Sequence, residues 1–96
     1  MLELRPCCEN CDKDLPFDAL EAMICSFECT FCADCSESIL EGMCPNCGGE
    51  LVRRPIRPAS KLIQYPAQSH RLVKATDIEA HRIKLSQFKT VPPAQR

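Results

Sequence analysis

Eight cysteines fall into four closely spaced pairs within the first half of the chain: Cys8/Cys11, Cys25/Cys29, Cys32/Cys35 and Cys44/Cys47. Three are C-x-x-C and one is C-x-x-x-C. Such spacing sets two sulfurs on one tight turn, and two such turns close a tetrahedral thiolate site. Eight ligands therefore suggest two metal ions with four cysteines each, and all-sulfur tetrahedra suit Zn2+. Reduced core cysteines without metal are the competing reading, but too many of these residues flank Pro, Asn, Asp and Glu to belong to an apolar interior.

Composition strengthens the case for a metal staple. Apolar residues make up 45% of the 96, but nine of them are cysteines, and there is no Trp and one Tyr. A core this lean in a chain this short needs disulfides or metal. MLELRPCCEN has no basic stretch followed by an apolar run, so no secretory signal is expected. No apolar run approaches the ~18 residues of a membrane span, so no membrane association is expected either. A cytoplasmic location, where C-x-x-C pairs bind metal rather than form disulfides, follows. Cys7, the ninth cysteine, fits the knuckle spacing less well than Cys8 and reads as a spare thiol. His70 and His81, far from the pairs in sequence, read as surface residues.

Net charge is -1, but it is split. Residues 1–50 hold eleven acids against Arg5 and Lys13; residues 51–96 hold ten Lys and Arg against Asp77 and Glu79. An acidic head and a basic tail suggest a solvated interaction tail, or a tail that folds back on its own head.

Along the chain, Leu2 and Leu4 alternate with Glu3 and Arg5, as in an edge strand ended by Pro6. Asp18 with Glu21 predicts a single helical turn over DALEA. Ala22–Cys25 and Cys29–Cys32 read as a hairpin. Ser36 is expected to cap a helix, SESILEGM, with Ile39, Leu40 and Met43 as its apolar face and Gly42 as its end. Gly48 and Gly49 permit positive φ after the last knuckle, and Leu51–Val52 reads as a final strand. Residues 1–52 thus form the metal-binding domain and 53–75 an extended basic arm containing several prolines. A short amphipathic helix over 76–90 opens on the Thr76–Glu79 capping box, with Ile78, Leu85 and Phe88 on one side. Residues 91–96 are a frayed end. A helix this short needs a surface to dock on.

How the pairs combine is open from spacing alone: nested, sequential and interleaved schemes all close two sites. The order pair, long loop, Cys25-x-x-x-Cys29-Thr-Phe31-Cys32-x-x-Cys35, helix, Cys44-Pro-x-Cys47 resembles the RING family. The likeness covers Cys8 to about Cys47. It implies a small metal-stabilised α+β fold, a cross-braced domain with a short hairpin and one short helix, and the interleaved scheme. Site one is then Cys8, Cys11, Cys32 and Cys35, and site two Cys25, Cys29, Cys44 and Cys47. Phe31 matches that family's core aromatic. The three-residue gap between Cys25 and Cys29 is long for the family, and Cys29 stands where many members have His. More closely, MLELRPxCxxCDKDLP…ICSFECTFCADC…CPNCGGELVRRPIRPA is similar to the short bacterial proteins of domain of unknown function 1272, over roughly residues 1–74. From about Ala75 the chain is an individual extension.

Function is less constrained. Two closed four-cysteine sites leave no open coordination position for catalysis, and no metalloprotease His-Glu pair, nucleophile elbow or phosphate loop is present. No small-molecule substrate is expected. Ubiquitin-ligase activity is disfavoured: Glu9 replaces the apolar residue usual after the first cysteine, Glu41–Met43 offers no Trp, and Gly48 lies near the usual place of a basic residue. Fold likeness does not carry the activity. A non-catalytic zinc-binding interaction module, docking an unknown protein partner, is the leading expectation. Arg53, Arg54, Arg57 and Lys61, with Arg71 and Lys74 beyond, are candidates for contacts to an acidic partner or to nucleic-acid phosphates, the first alternative. A redox- or metal-responsive regulator is the second, since oxidation of C-x-x-C thiolates releases metal.

Overall fold

The computed structural model describes residues 1–96. Three short strands form one antiparallel sheet in the order β2-β1-β3: β1 is Ala22–Ile24, β2 is Thr30–Cys32 and β3 is Val52–Arg53. Ala22 pairs with Cys32 and Ile24 with Thr30, while Met23 faces Arg53 across β1 and β3. The last strand thus sits one residue later than its expected place. Leu51 is needed in the core, where it is 8% exposed, and Val52 takes the sheet edge.

Helix α1, Ala33–Ser38, follows β2 without a break. Its cap is Cys32, whose sulfur accepts from the Cys35 amide, and not Ser36, which lies buried inside the helix. A cysteine sulfur replaces the hydroxyl because the metal-knuckle turn and the helix start are the same turn. The apolar residues expected on that helix mostly follow it. Ile39 is its C-cap, and Leu40 and Met43, both fully buried, lie on a turn where Glu41 and Gly42 take positive φ. Phe31, fully buried, packs with Leu15, Ala22, Leu40, Leu51 and the cysteines in one core, as its resemblance to a core aromatic implied.

Two other local expectations fail. Leu2–Arg5 joins no sheet; the segment is held by side chains instead, and DALEA forms turns but no helix. The arm is not free. The Arg54 side chain runs inward, and its guanidinium donates to Arg5 O at 2.8 Å, Leu15 O at 3.1 Å and Pro16 O at 2.8 Å. Arg57 donates to Leu2 O and to Tyr65 O, the Gln68 amide to Leu4 O, and Arg71 clasps Asp12 and Asp14. A 3-10 turn at Ala59–Lys61 bends the chain between these ties. The tail therefore folds back on the acidic head, and the lead-in is trapped beneath it.

Helix α2, Ile78–Phe88, is capped by Asp77, whose carboxylate accepts from the Ala80 amide; Thr76 is not the cap. It docks on the head through His81 and Leu85, which are buried, while Ile78 and Ile83 face outward. His81 is the clearest reversal: expected at the surface, it is 3% exposed and its Nε2 donates to Leu40 O at 2.8 Å. No helix is long and apolar enough to cross a membrane.

Candidate metal centre

The first and last cysteine pairs form the same local structure. Asp12 N donates to Cys8 O and Gly48 N to Cys44 O, both at 2.9 Å; Cys8 N donates to Lys13 O and Cys44 N to Gly49 O, both at 2.8 Å. The residue after each second cysteine has positive φ, +65° at Asp12 and +78° at Gly48. Only one knuckle uses glycine. Asp adopts the left-handed conformation more readily than most residues, so Asp12 serves in the other. At the last knuckle the next residue must also be small, because a Cβ on Gly49 would lie 3.3 Å from the Cys47 sulfur.

The sulfurs of Cys8, Cys11, Cys32 and Cys35 all lie within 4.8 Å of one another. A zinc–sulfur bond of ~2.3 Å in a tetrahedron needs sulfurs ~3.8 Å apart, and Cys11 and Cys32 stand at 3.7 Å. A second group brings Cys25, Cys44 and Cys47 within 4.8 Å. Cys29 lies beside it, with its sulfur accepting from Asn46 Nδ2 at 3.4 Å. The first pair meets the third, and Cys25 of the second meets the fourth, which neither nested nor sequential order produces. The donor sets fit metal ions: both are all-sulfur and are largely screened from water, except that Cys11 and Cys47 are exposed.

Electrostatics points the same way. Burial, with opposition from neighbouring thiols, raises the pKa of Cys29, Cys32, Cys35 and Cys44. Cys11 goes the other way: burial opposes ionisation, but hydrogen bonds from the Lys13 backbone and from Cys8, Cys32 and Cys35 bring its pKa down. Clustered thiols resist ionising together, and a divalent cation removes that resistance. N–H groups already point at the sulfurs. Phe27 N reaches Cys25 at 3.3 Å, Cys35 N reaches Cys32 at 3.4 Å and Gly49 N reaches Cys47 at 3.4 Å.

Two asparagines complete this outer layer. Asn10 Nδ2 donates to the Cys35 sulfur at 3.3 Å. Asn46 Nδ2 donates to Cys29 and, at 2.8 Å, to Glu9 Oε1. Each stands directly before the second cysteine of its knuckle, and each reaches the second cysteine of the pair that joins it. The repeated Cys-x-Asn-Cys was the available signal, in CENC and CPNC. Cys7 belongs to neither group; buried against the arm, its thiol points to Leu72 O at 3.9 Å, and burial raises its pKa.

The other sequence-predicted contacts separate. Arg53 and Lys61 are exposed, Arg57 is tied to Leu2 and Tyr65, and Arg54 is 1% exposed and unavailable to any partner. His70 is exposed and belongs to neither cysteine group.

All nine cysteines lie within the residues that match a known family. The family model described as protein of unknown function (DUF1272) matches residues 1–57. An uncharacterised protein of Rhizobium meliloti (strain 1021) is 68% identical over 74 residues, covering 77% of this chain and 88% of its own length. No solved structure matches.

Proposed function

We propose that this chain, which belongs to the DUF1272 family, is a non-catalytic interaction module built on two structural zinc ions. One ion is held by Cys8, Cys11, Cys32 and Cys35, the other by Cys25, Cys29, Cys44 and Cys47. The observation that carries the reading is the pair of equivalent knuckles with sulfurs at tetrahedral spacing. Zinc here supplies folding free energy: each structural site contributes on the order of 10–16 kcal/mol of apparent binding free energy. Four sulfurs per ion fill the coordination sphere, so the metal has no position left to activate water. The reduced thiols fit a cytoplasmic setting.

A protein partner is favoured over nucleic acid by what the tail does. Arg54, Arg57 and Arg71 are engaged within the chain, which leaves Arg53, Lys61 and Lys74 as a thin basic surface. Apolar residues stand out instead: Phe27 at the hairpin tip is 71% exposed and Val52 on the sheet edge 49%. Native mass spectrometry with and without chelator tests the metal reading. Two zinc ions per chain are expected, with loss of folded structure on their removal; one ion, iron in place of zinc, or a metal-free chain that stays folded would overturn it. Retention on DNA or RNA that weakens steeply with salt would restore the nucleic-acid alternative.

A further inference from the structure

We infer that Asn10 is a positioning residue that couples the first cysteine site to the docking of α2 on the head, an inference that rests on the zinc reading above. Its amide faces both ways. Nδ2 donates to the Cys35 sulfur at 3.3 Å, and Oδ1 accepts from the Thr76 backbone N–H at 2.8 Å, just ahead of the Asp77 cap of α2. Asn46, in the equivalent place of the other knuckle, donates to Cys29 and to Glu9 and makes no hydrogen bond to the segment that carries α2. The two asparagines share one local geometry but differ in what they connect.

The helix depends on such ties. Eleven residues form a marginal helix in water, and Leu85 is its one buried apolar side chain. What holds the segment is largely polar, and much of it lands on the knuckles. The Lys74 amide donates to Glu9 O at 2.7 Å, Lys84 Nζ to Pro45 O at 2.6 Å and Arg96 to Gly48 O at 2.8 Å. Those acceptors belong to the Cys8–Cys11 and Cys44–Cys47 turns, whose closed form the metal stabilises. An amide donating to a metal-bound sulfur also offsets its charge and fixes its direction, and losing such a partner costs ~10–100-fold in metal affinity. Coupling free energy is reciprocal: whatever site one contributes to docking, docking returns to site one.

The test compares Asn10→Ala, Asn46→Ala and Leu85→Asp in the full zinc-loaded chain. Zinc is withdrawn with a chromophoric chelator while NMR follows the Asp12 and Gly48 amides as reporters of the two knuckles. Hydrogen exchange of the α2 amides is measured before chelation. Asn10→Ala is expected to speed release from site one by about tenfold or more and to expose the α2 amides to exchange. Asn46→Ala is expected to speed release from site two and leave α2 protection as in the wild type. Leu85→Asp changes nothing in the head, so it keeps the test valid if Asn10→Ala fails to fold. It should undock α2 and speed release at Asp12, and at Gly48 too through the lost Lys84 and Arg96 ties. Undocked α2 with an unchanged site-one rate overturns the coupling. So does equal loss of α2 protection in the two asparagine variants. Failure of the zinc reading is distinct, since the wild-type chain would then carry no zinc before any variant is compared.

Discussion

Arg54→Ala should destabilise this protein severely for a residue on a basic arm. The guanidinium is fully buried, burial lowers its pKa, and no carboxylate lies in a salt bridge with it. Its partners are three backbone carbonyls, on Arg5, Leu15 and Pro16, which belong to the lead-in and the first loop. Removing the donor leaves those carbonyls without it in a site that water enters poorly. At about 1–2 kcal/mol for each orphaned acceptor, less about 1 kcal/mol of relief from no longer burying a charge, the loss comes to about 2–5 kcal/mol. For a domain of this size that lowers the thermal midpoint by roughly 8 °C or more at fixed zinc. Arg54→Lys keeps the charge but not the planar fork, so it satisfies fewer carbonyls and should fall between wild type and Arg54→Ala. The assay is thermal unfolding by circular dichroism in a constant excess of zinc, with Arg53→Ala on the exposed edge strand as reference. If Arg54→Ala loses no more than Arg53→Ala, the carbonyl cluster does not hold the lead-in and the argument fails.

Four further outcomes are expected. By metal counting in native mass spectra, Cys29→Ala combined with Cys44→Ala should leave one ion, and Cys29→Ala combined with Cys11→Ala none; no ion left in the first pair, or one left in the second, would refute the interleaved grouping. Cys7→Ser should leave the zinc count at the wild-type value, and a lost ion would make Cys7 a ligand. Gly48→Ala should cost about 1 kcal/mol or more, because an alanine must hold φ near +78° there; an unchanged thermal midpoint would contradict it. Asp12 titrates below the ordinary carboxylate range because Arg71 bonds to it, with a smaller contribution from the Cys7 thiol. A lowered folded pKa means the clasp contributes at neutral pH and is lost as pH falls through that lowered value. Arg71→Ala should therefore raise the Asp12 pKa in a carbon-detected NMR titration, and no movement would refute the pairing.

The cysteine framework was legible because ligand spacing is a local property. Pair spacing implied two cysteine groups, and likeness to cross-braced domains pointed to an interleaved order, which the sulfurs of Cys8, Cys11, Cys32 and Cys35 and those of Cys25, Cys44 and Cys47 follow. Phe31 and the positive φ of Gly48 were readable for the same reason. The errors have physical causes. Ser36 looked like a helix cap because hydroxyls usually fill that role; here the Cys32 sulfur fills it one turn earlier. Asp77, not Thr76, caps α2, and either side chain could have served. Arg54 and His81 were read as surface residues because such side chains usually are. What buries them is long-range: three carbonyls from the first sixteen residues for one, the Leu40 carbonyl for the other. No local pattern encodes a partner that distant in sequence. The asparagines were visible as letters, but their role required knowing which pairs meet.

The trapped lead-in has a consequence for the order of assembly. Every cysteine of both sites has been synthesised by Cys47, whereas Arg54, Arg57 and Arg71, which seal residues 2–16 in place, come later. At about 5–20 residues per second, translating residues 48–71 takes roughly 1–5 seconds. During that interval the head has its full set of thiols while its first loop is still uncovered. The thiols thus precede the clasp in synthesis, and because Cys11 and Cys47 stay exposed after the arm has closed, each cysteine group keeps one edge open to solvent in the finished chain.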